Sequence, residues 1–467
     1  MSTGHARQHP GLLRTVLDVG RATRQGRVGV ERRQQDRLAD IVAFARAASP
    51  VYRRLYEGLP DRIRDPSFLP VTNKTMLMAQ FDEWVTDRAV TRRLVDDVVA
   101  DPTLVGQRVL GRYTVATTSG TTGERGVFVL DDDSMTATTA LAIRMLRDWL
   151  GLREVAQLIA RGGRLTMINA VGGHYASAIA GTRLLRGGAG GARRVQMLSV
   201  DTPLPALVTS LNHFRPAVVA AYASVGAMLA SEQEAGRLHI APALVVLSAE
   251  GLAIPEYARI ARAFGATVRS SYAATECPFL SYSCAEEWMH VNSDWVLLEP
   301  VDPEYWPTPA GRVSQTVLLT NLANRVQPIL RYDLGDRVLL RRDPCPCGNP
   351  LPAIRVRGRA ADVLTFTGAP GERVAVPPLA ITSLVSEVPG VERFQVEQIA
   401  PMALRVRLRT TAGHERELIW AAVRLQLETL LRAHGLPGVV IHRDDGRLTQ
   451  TIGGKFREII PLRTEPI

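Results

Sequence analysis

Between two apolar runs the chain carries Thr117-Thr118-Ser119-Gly120-Thr121-Thr122-Gly123-Glu124. Two glycines and five hydroxyl side chains fall within the seven residues from Thr117 to Gly123. Glycine lets the backbone take positive φ and approach a ligand closely. Successive N–H groups and hydroxyls can then wrap a phosphate chain. No Gly-Lys-Ser/Thr follows, so this is not a Walker loop. On composition alone, a Ser/Thr-rich surface loop fits the same residues. A second constellation is Cys284 and His290, with five residues between them, and Cys345-Pro346-Cys347-Gly348 downstream. Three thiolates and an imidazole would complete a tetrahedral zinc shell. The 54 residues between the halves are unlike a compact finger, and free thiols in a reducing compartment are the alternative. The remaining cysteine, Cys277, sits beside Glu276 and outside this set. Lastly, only Lys74 and Lys455 among the 56 basic residues are lysine. Each is a candidate for a place where a guanidinium does not serve.

The charges sum to 56 − 46 = +10 over 467 residues. The arginines are scattered, apart from short pairs such as Arg32-Arg33 and Arg341-Arg342, and lack the stripe of a nucleic-acid surface. No nucleic-acid partner is expected, and the basic balance suits an anionic small molecule such as a nucleotide. Hydrophobic residues at 46% and charged residues at 22% exclude wholesale disorder. No apolar run approaches the roughly 18 residues of a membrane span, so no membrane partner is expected. The N-terminus lacks a signal-peptide apolar region, and the four cysteines are too few for a disulfide scaffold. A cytoplasmic setting is expected.

These residues need elements to hold them. Residues 1–30 are Gly- and Arg-rich and weakly periodic, which reads as a loosely packed arm. Helical spacing runs from about Gln34 to Ala48, is ended by Pro50, and helical character continues to about residue 100. Asp131 to Asp133 offer an N-cap to a helix reaching about Leu150. Leu165–Asn169, Val195–Leu198, Ala217–Ala221, Leu244–Leu247 and Thr267–Ser271 read as buried strands alternating with helices near 203–212, 224–235 and 255–264. That alternation predicts an α/β fold with a mostly parallel sheet, whose ligands bind beyond the carboxyl ends of the strands. Residues 312–342 read as strands and turns. A small αβ unit follows, with a helix near 378–387, a strand at 404–410, a helix at 415–434 and a strand at 439–442. The expected domains are 1–359, led by a helical segment to about residue 110, and a small α+β domain at 360–467.

The motif order resembles the acyl-adenylate-forming superfamily: acyl-CoA ligases, adenylation domains and luciferases. The Thr117–Glu124 segment resembles its phosphate-binding loop. Ser248-Ala249-Glu250-Gly251-Leu252 resembles the adenine-side turn, and Tyr272-Ala273-Ala274-Thr275-Glu276 the Tyr-Gly-x-Thr-Glu motif. Arg331-Tyr332-Asp333-Leu334-Gly335-Asp336 looks like the ribose motif, Gly358-Arg359-Ala360-Ala361-Asp362 the hinge, and Gly453-Gly454-Lys455-Phe456-Arg457 the catalytic-lysine motif. Within that superfamily the phenylacetate–CoA ligase-like branch is most similar. Its members share segments like Ala48-Ser49-Pro50-Val51-Tyr52-Arg53 and Leu69-Pro70-Val71-Thr72-Asn73-Lys74, and a cysteine pair like Cys345 and Cys347 before the hinge.

The resemblance implies an ATP- and Mg²⁺-dependent ligase with a large α/β domain and a small mobile C-terminal domain. Thr118, Ser119, Gly120, Thr121, Thr122 and Gly123 would hold the β- and γ-phosphates. Ala249, Glu250, Tyr272, Ala273 and Thr275 would line the nucleotide, Glu276 would bind Mg²⁺, and Asp336 would accept from the ribose hydroxyls with Arg359 near it. Lys455 would bridge the attacking carboxylate and the α-phosphate. His174, Tyr175 and Tyr222 are candidates for the acyl pocket, although His174 could equally cap or pack within its Gly-rich turn. Coenzyme A is the implied acceptor for the acyl group of an aromatic acid, and the branch carries similar Cys/His positions, which implies structural zinc at Cys284, His290, Cys345 and Cys347. The branch often forms dimers, which leaves a homodimer open. Two departures stand out. Ala273 replaces a usual Gly, and Ala361 replaces a usual Asp at the hinge. The second keeps open an ATP-dependent diazotase that joins nitrite and an aryl amine.

Overall fold

A computed structural model describes residues 11–118, 126–169, 174–186, 191–200, 202–249, 251–252, 254–359, 364–367, 373–376, 381, 384–385, 388–411, 415–449 and 456–462. The chain divides into two compact units, one of Met1–Leu334 and Leu339–Arg355, the other of Gly335–Val338 and Val356–Ile467.

The large unit opens with helices Leu12–Arg24 and Gly26–Ala48, which corrects the reading of residues 1–30 as a loose arm. The first helix buries Thr15, Val19 and Ala22 while Leu12, Leu13 and Leu17 stay exposed, so its large apolar residues do not mark its buried face. Charge also holds it: Arg33 and Arg37 of the second helix both donate to Asp18. The second helix stops at Ser49, whose hydroxyl accepts from the Tyr52 N–H, and Pro50 opens the next helix, Pro50–Leu55.

An antiparallel hairpin follows, β1 (Thr114–Thr117) and β2 (Val127–Leu130), buried along its whole length. The expected cap of helix Asp132–Trp149 is present, with Asp131 accepting from the Ser134 N–H at 2.8 Å. The sheet is built from β3 (Leu165–Asn169), β4 (Val195–Ser199), β5 (Val218–Tyr222), β6 (Leu244–Ser248) and β7 (Thr267–Ala274). They lie in the order β4-β3-β5-β6-β7, all parallel. Helices Leu204–Phe214, Ala223–Glu234 and Ile254–Phe264 join them, and Leu211, Leu229 and Ile260 pack with Val219, Val245 and Leu247 as one core. Beyond β7 the sheet turns antiparallel through β8 (Cys277–Ser283) and β9 (Met289–Val291). Val296–Val301, Thr316–Asn321 and Tyr332–Asp333 form a second antiparallel layer. The α/β architecture expected from the βα alternation is thus the one observed.

In the small unit, Val391–Ala400 and Ala403–Thr410 pair antiparallel, flanked in parallel by Ile459–Ile460 and Val440–Arg443 respectively. Helix Arg416–Ala433 turns Ile419, Val423, Leu427 and Leu431 into the core at i, i+4 spacing. The strand at 391–400 has no counterpart in the sequence reading. The helix expected near 378–387 falls largely outside the described residues. Among the described residues, no helix is long and apolar enough to cross a membrane.

Candidate active site

The β1–β2 hairpin presents the Thr/Gly segment. Its stem is closed by the Thr118 N–H to the Gly126 carbonyl at 3.0 Å and the Gly126 N–H to the Thr118 hydroxyl at 2.9 Å. A Cβ on Gly126 would meet the Phe128 ring at 2.8 Å and the Thr118 hydroxyl at 3.2 Å, so this stem tolerates no side chain there. Buried amides hold the outer edge of the hairpin. Gln327 accepts from the Val129 N–H at 2.7 Å, and Asn324 donates to the Val129 carbonyl at 2.8 Å. Ser119, Gly120, Thr121, Thr122 and Gly123 lie outside the described residues.

Glu276 occupies a two-residue turn, because Ala274 pairs with Cys277 across β7 and β8. Its carboxylate is 7% exposed and accepts from the Tyr332 hydroxyl at 3.2 Å, and its carbonyl accepts from Asn321 at 3.1 Å. The Tyr332 ring meets Phe128 edge-on, centroids 6.4 Å apart, and Phe128 meets Trp84 the same way at 6.3 Å. One aromatic stack therefore links the lead-in helices, the hairpin and the carboxylate. Tyr332 is itself fixed by residues 69–73. The Asp333 N–H donates to the Thr72 carbonyl, the Thr72 N–H to the Arg331 carbonyl, and the Arg331 guanidinium to the Leu69 carbonyl. Arg331 sits at φ +48° and pairs with Glu299, whose carboxyl burial pushes up to about 7 against the pull of that guanidinium. Burial likewise pushes the Cys277 thiol up to about 12, so the neighbour of Glu276 stays protonated at neutral pH. Tyr332→Phe removes the hydroxyl from a buried carboxylate and should cost about 1.5 kcal/mol, read from the urea midpoint.

The other candidates cluster at the carboxyl ends of the parallel strands. Tyr222 closes β5 opposite Ser248, which closes β6. Ala249 follows at φ +68°, a conformation that costs an L-residue about 1 kcal/mol and collects at binding sites. Tyr272, Ala273 and Thr275 are at least partly exposed at the end of β7 and the turn after it. Tyr222 is buried in the sheet core and Tyr175 packs at its edge. His174 is 2% exposed; its ring nitrogen lies 3.2 Å from the Asp101 carbonyl and its own carbonyl accepts from the Thr117 N–H. Its contacts therefore tie the turn after β3 to the hairpin. On the small unit, Asp336 is buried and Arg359 ends strand Ala353–Arg359. Glu250 and Lys455 lie outside the described residues. Sequence reasoning passed over Tyr332 as a site residue, although it sits inside the quoted Arg331–Asp336 motif.

Cys284, His290, Cys345 and Cys347 do converge, with all ligand atoms within 4.8 Å of one another. The Cys284 and Cys345 sulfurs are 3.7 Å apart. A tetrahedron centred about 2.3 Å from each sulfur has an edge of about 3.8 Å, so the spacing fits zinc. His290 donates from Nδ1 to the Leu351 carbonyl at 2.9 Å, which leaves Nε2 facing Cys347 at 3.1 Å. Such a carbonyl is the usual orienting partner of a metal-bound imidazole.

No protein-family model and no curated protein matches the chain. Solved structures do. A 2-hydroxyisobutyryl-CoA ligase in the postadenylation state, bound to R3-HIB-AMP, superposes with a TM-score of 0.64 at 20% identity over 94% of this chain and 90% of its own. This chain has the fold of the adenylate-forming CoA ligases. An anthranilate CoA ligase, AuaEII, bound to anthranoyl-AMP matches with a TM-score of 0.50 at 16% identity, over 73% of this chain and 65% of that one. ATP-bound MatB from Rhodopseudomonas palustris gives 0.51 at 18% identity, over 73% and 66%. Within this ligase fold, the hairpin stem, Glu276 and the ends of β5 to β7 fall on one unit, while Asp336 falls on the other.

Proposed function

We propose that this chain is an AMP-forming ligase of the phenylacetate–CoA ligase-like branch, which adenylates an aromatic carboxylic acid and passes the acyl group to coenzyme A. The observation that carries the reading is Glu276, a carboxylate held by Tyr332 against the ring that also braces the Thr/Gly hairpin. The similar structures bear acyl-AMP or ATP.

In the first step a carboxylate oxygen of the acid attacks the α-phosphorus of ATP, and the bond to the β-phosphate breaks to release pyrophosphate. Thr118 to Gly123 cradle the departing phosphates. Ala249, Glu250, Tyr272, Ala273 and Thr275 border the nucleotide, Asp336 accepts from the ribose hydroxyls, and Arg359 supports it. Bound Mg²⁺ neutralises phosphate charge, and Glu276 is the hard oxygen donor suited to holding it. Lys455 stabilises the charge gathered at the α-phosphate. Tyr175 and Tyr222 face the acyl side, with His174 fixing the turn that carries Tyr175. In the second step the thiol sulfur of coenzyme A attacks the acyl carbon and AMP departs.

ATP–pyrophosphate exchange with a panel of aryl and short aliphatic acids tests the reading. Exchange driven by an aryl acid supports it, and ATP binding with no exchange for any acid overturns it. Ala361 at the hinge keeps open a second reading, in which nitrite and an aryl amine replace the acid and coenzyme A. AMP release that requires nitrite would select it.

Zinc is proposed at Cys284, His290, Cys345 and Cys347, where it would clamp β8 and β9 to the segment after residue 344. Freshly purified protein should carry one zinc per chain by elemental analysis. Cys345→Ser should lose most of it, along with thermal stability.

A further inference from the structure

We propose that Gln395 is a positioning residue for Lys455, a buried amide that fixes both stems of the segment carrying the lysine. It lies in strand Val391–Ala400 of the small unit and is 1% exposed. Its Nε2 donates to the Thr449 carbonyl and to the Arg457 carbonyl, both at 3.0 Å. Thr449 and Arg457 bracket Lys455 in sequence, so one nitrogen ties together the residues before and after it. Its Oε1 accepts from the Thr449 hydroxyl at 2.9 Å, from the Thr449 N–H at 3.3 Å and from Arg407 at 3.0 Å.

That distribution fixes the amide's orientation. A flipped side chain would set NH₂ against three donors and oxygen against two carbonyls. Arg407 cannot swing away, because Asp444 holds its Nε at 2.7 Å and Glu397 its Nη1 at 3.2 Å. The downstream stem has further anchors on the same strand. The Val396 N–H donates to the Glu458 carbonyl at 2.7 Å, Val396 pairs with Ile459, and the Arg393 guanidinium lies 4.3 Å from the Phe456 ring centroid. The upstream stem is held at Thr449 by Gln395. A buried polar amide costs stability unless all its bonds are made. Here every bond goes to the lysine segment's stems or to the arginine that orients the amide.

The inference rests on the adenylation reading for what Lys455 does, and its test separates the two. In the full chain, Gln395→Glu keeps an acceptor for Arg407 and replaces the double donor with an oxygen facing two carbonyls. A displacement of about 1 Å at a reacting group can cost on the order of 10²-fold in rate. Gln395→Glu should therefore lower kcat of pyrophosphate exchange by about tenfold to a hundredfold, with KM for ATP and acid little changed. The lysine count supplies a readout that stability alone does not move. Lys74 and Lys455 are the chain's two lysine side chains, so peptide mass spectrometry after an amine-acylating reagent reads each rate separately. The Lys455 rate should change severalfold while Lys74 stays at the parent rate. Parent kcat with parent labelling overturns the inference. So does a change at both lysines together, which marks a general loss of structure. Absence of acid-dependent exchange in the parent chain would instead sink the adenylation reading, and leaves the labelling comparison intact.

Discussion

Lys455→Ala should lower acid-dependent ATP–pyrophosphate exchange by about 10²–10³-fold, the usual cost of removing one donor aimed at developing charge. The attack of a carboxylate on the α-phosphorus brings two anionic groups together, and the charge they share peaks in the transition state. A cation already placed there gains most at that moment, so the loss should fall on kcat and leave KM for ATP nearly unchanged. Lys455→Arg should fail to restore the rate. The chain uses arginine at 54 positions and lysine at two, so a position that tolerated arginine would be expected to hold it. A planar guanidinium spreads its charge over a fork, whereas an ammonium concentrates it at one point. Both variants should unfold with the parent's midpoint within about 2 °C, which separates a lost charge from a lost fold. A measured exchange rate above a tenth of the parent's in Lys455→Ala would remove the lysine from the chemistry.

The parts of this site that were legible in the sequence are those written as local pattern. The strand run at 244–247 was readable because a parallel strand covered on both faces shows as an unbroken apolar run. The Thr/Gly segment and Glu276 were readable as turn chemistry after such runs. The Cys/His set was readable because cysteine is rare in this chain, and it does converge. What escaped depends on pairing across sequence distance. Tyr332 reaches Glu276 over 56 positions, and Gln327 reaches the hairpin over 198. Nothing in a lone glutamine or tyrosine announces its partner. Helix Leu12–Arg24 escaped for a different reason: its large apolar residues Leu12, Leu13 and Leu17 are exposed, and it is held through the smaller Thr15, Val19 and Ala22 and by Arg33 and Arg37 against Asp18.

The largest expected loss of stability belongs to Arg144, on helix Asp132–Trp149. Its two terminal nitrogens meet the two Asp294 oxygens at 2.8 and 2.6 Å, with side-chain exposures of 3% and 0%. The guanidinium also donates to Asn292 at 3.1 Å and to the Val19 carbonyl at 3.2 Å, which ties the first helix to the strands behind it. Burial pulls the Arg144 pKa down and Asp294 pulls it up, with a net shift upward, so the guanidinium stays charged. Removing the arginine leaves the buried Asp294 carboxylate with the more distant Arg37 guanidinium, at 4.0 Å, as its counter-charge. Arg144→Met should therefore cost about 3–5 kcal/mol in denaturant unfolding, well beyond the loss of its hydrogen bonds alone. A second substitution identifies the cause. Pairing the change with Asp294→Asn, which removes the charge but keeps the shape, should recover most of the loss at pH 7. A double variant no more stable than Arg144→Met would mean that lost packing, and not an unpaired carboxylate, sets the cost.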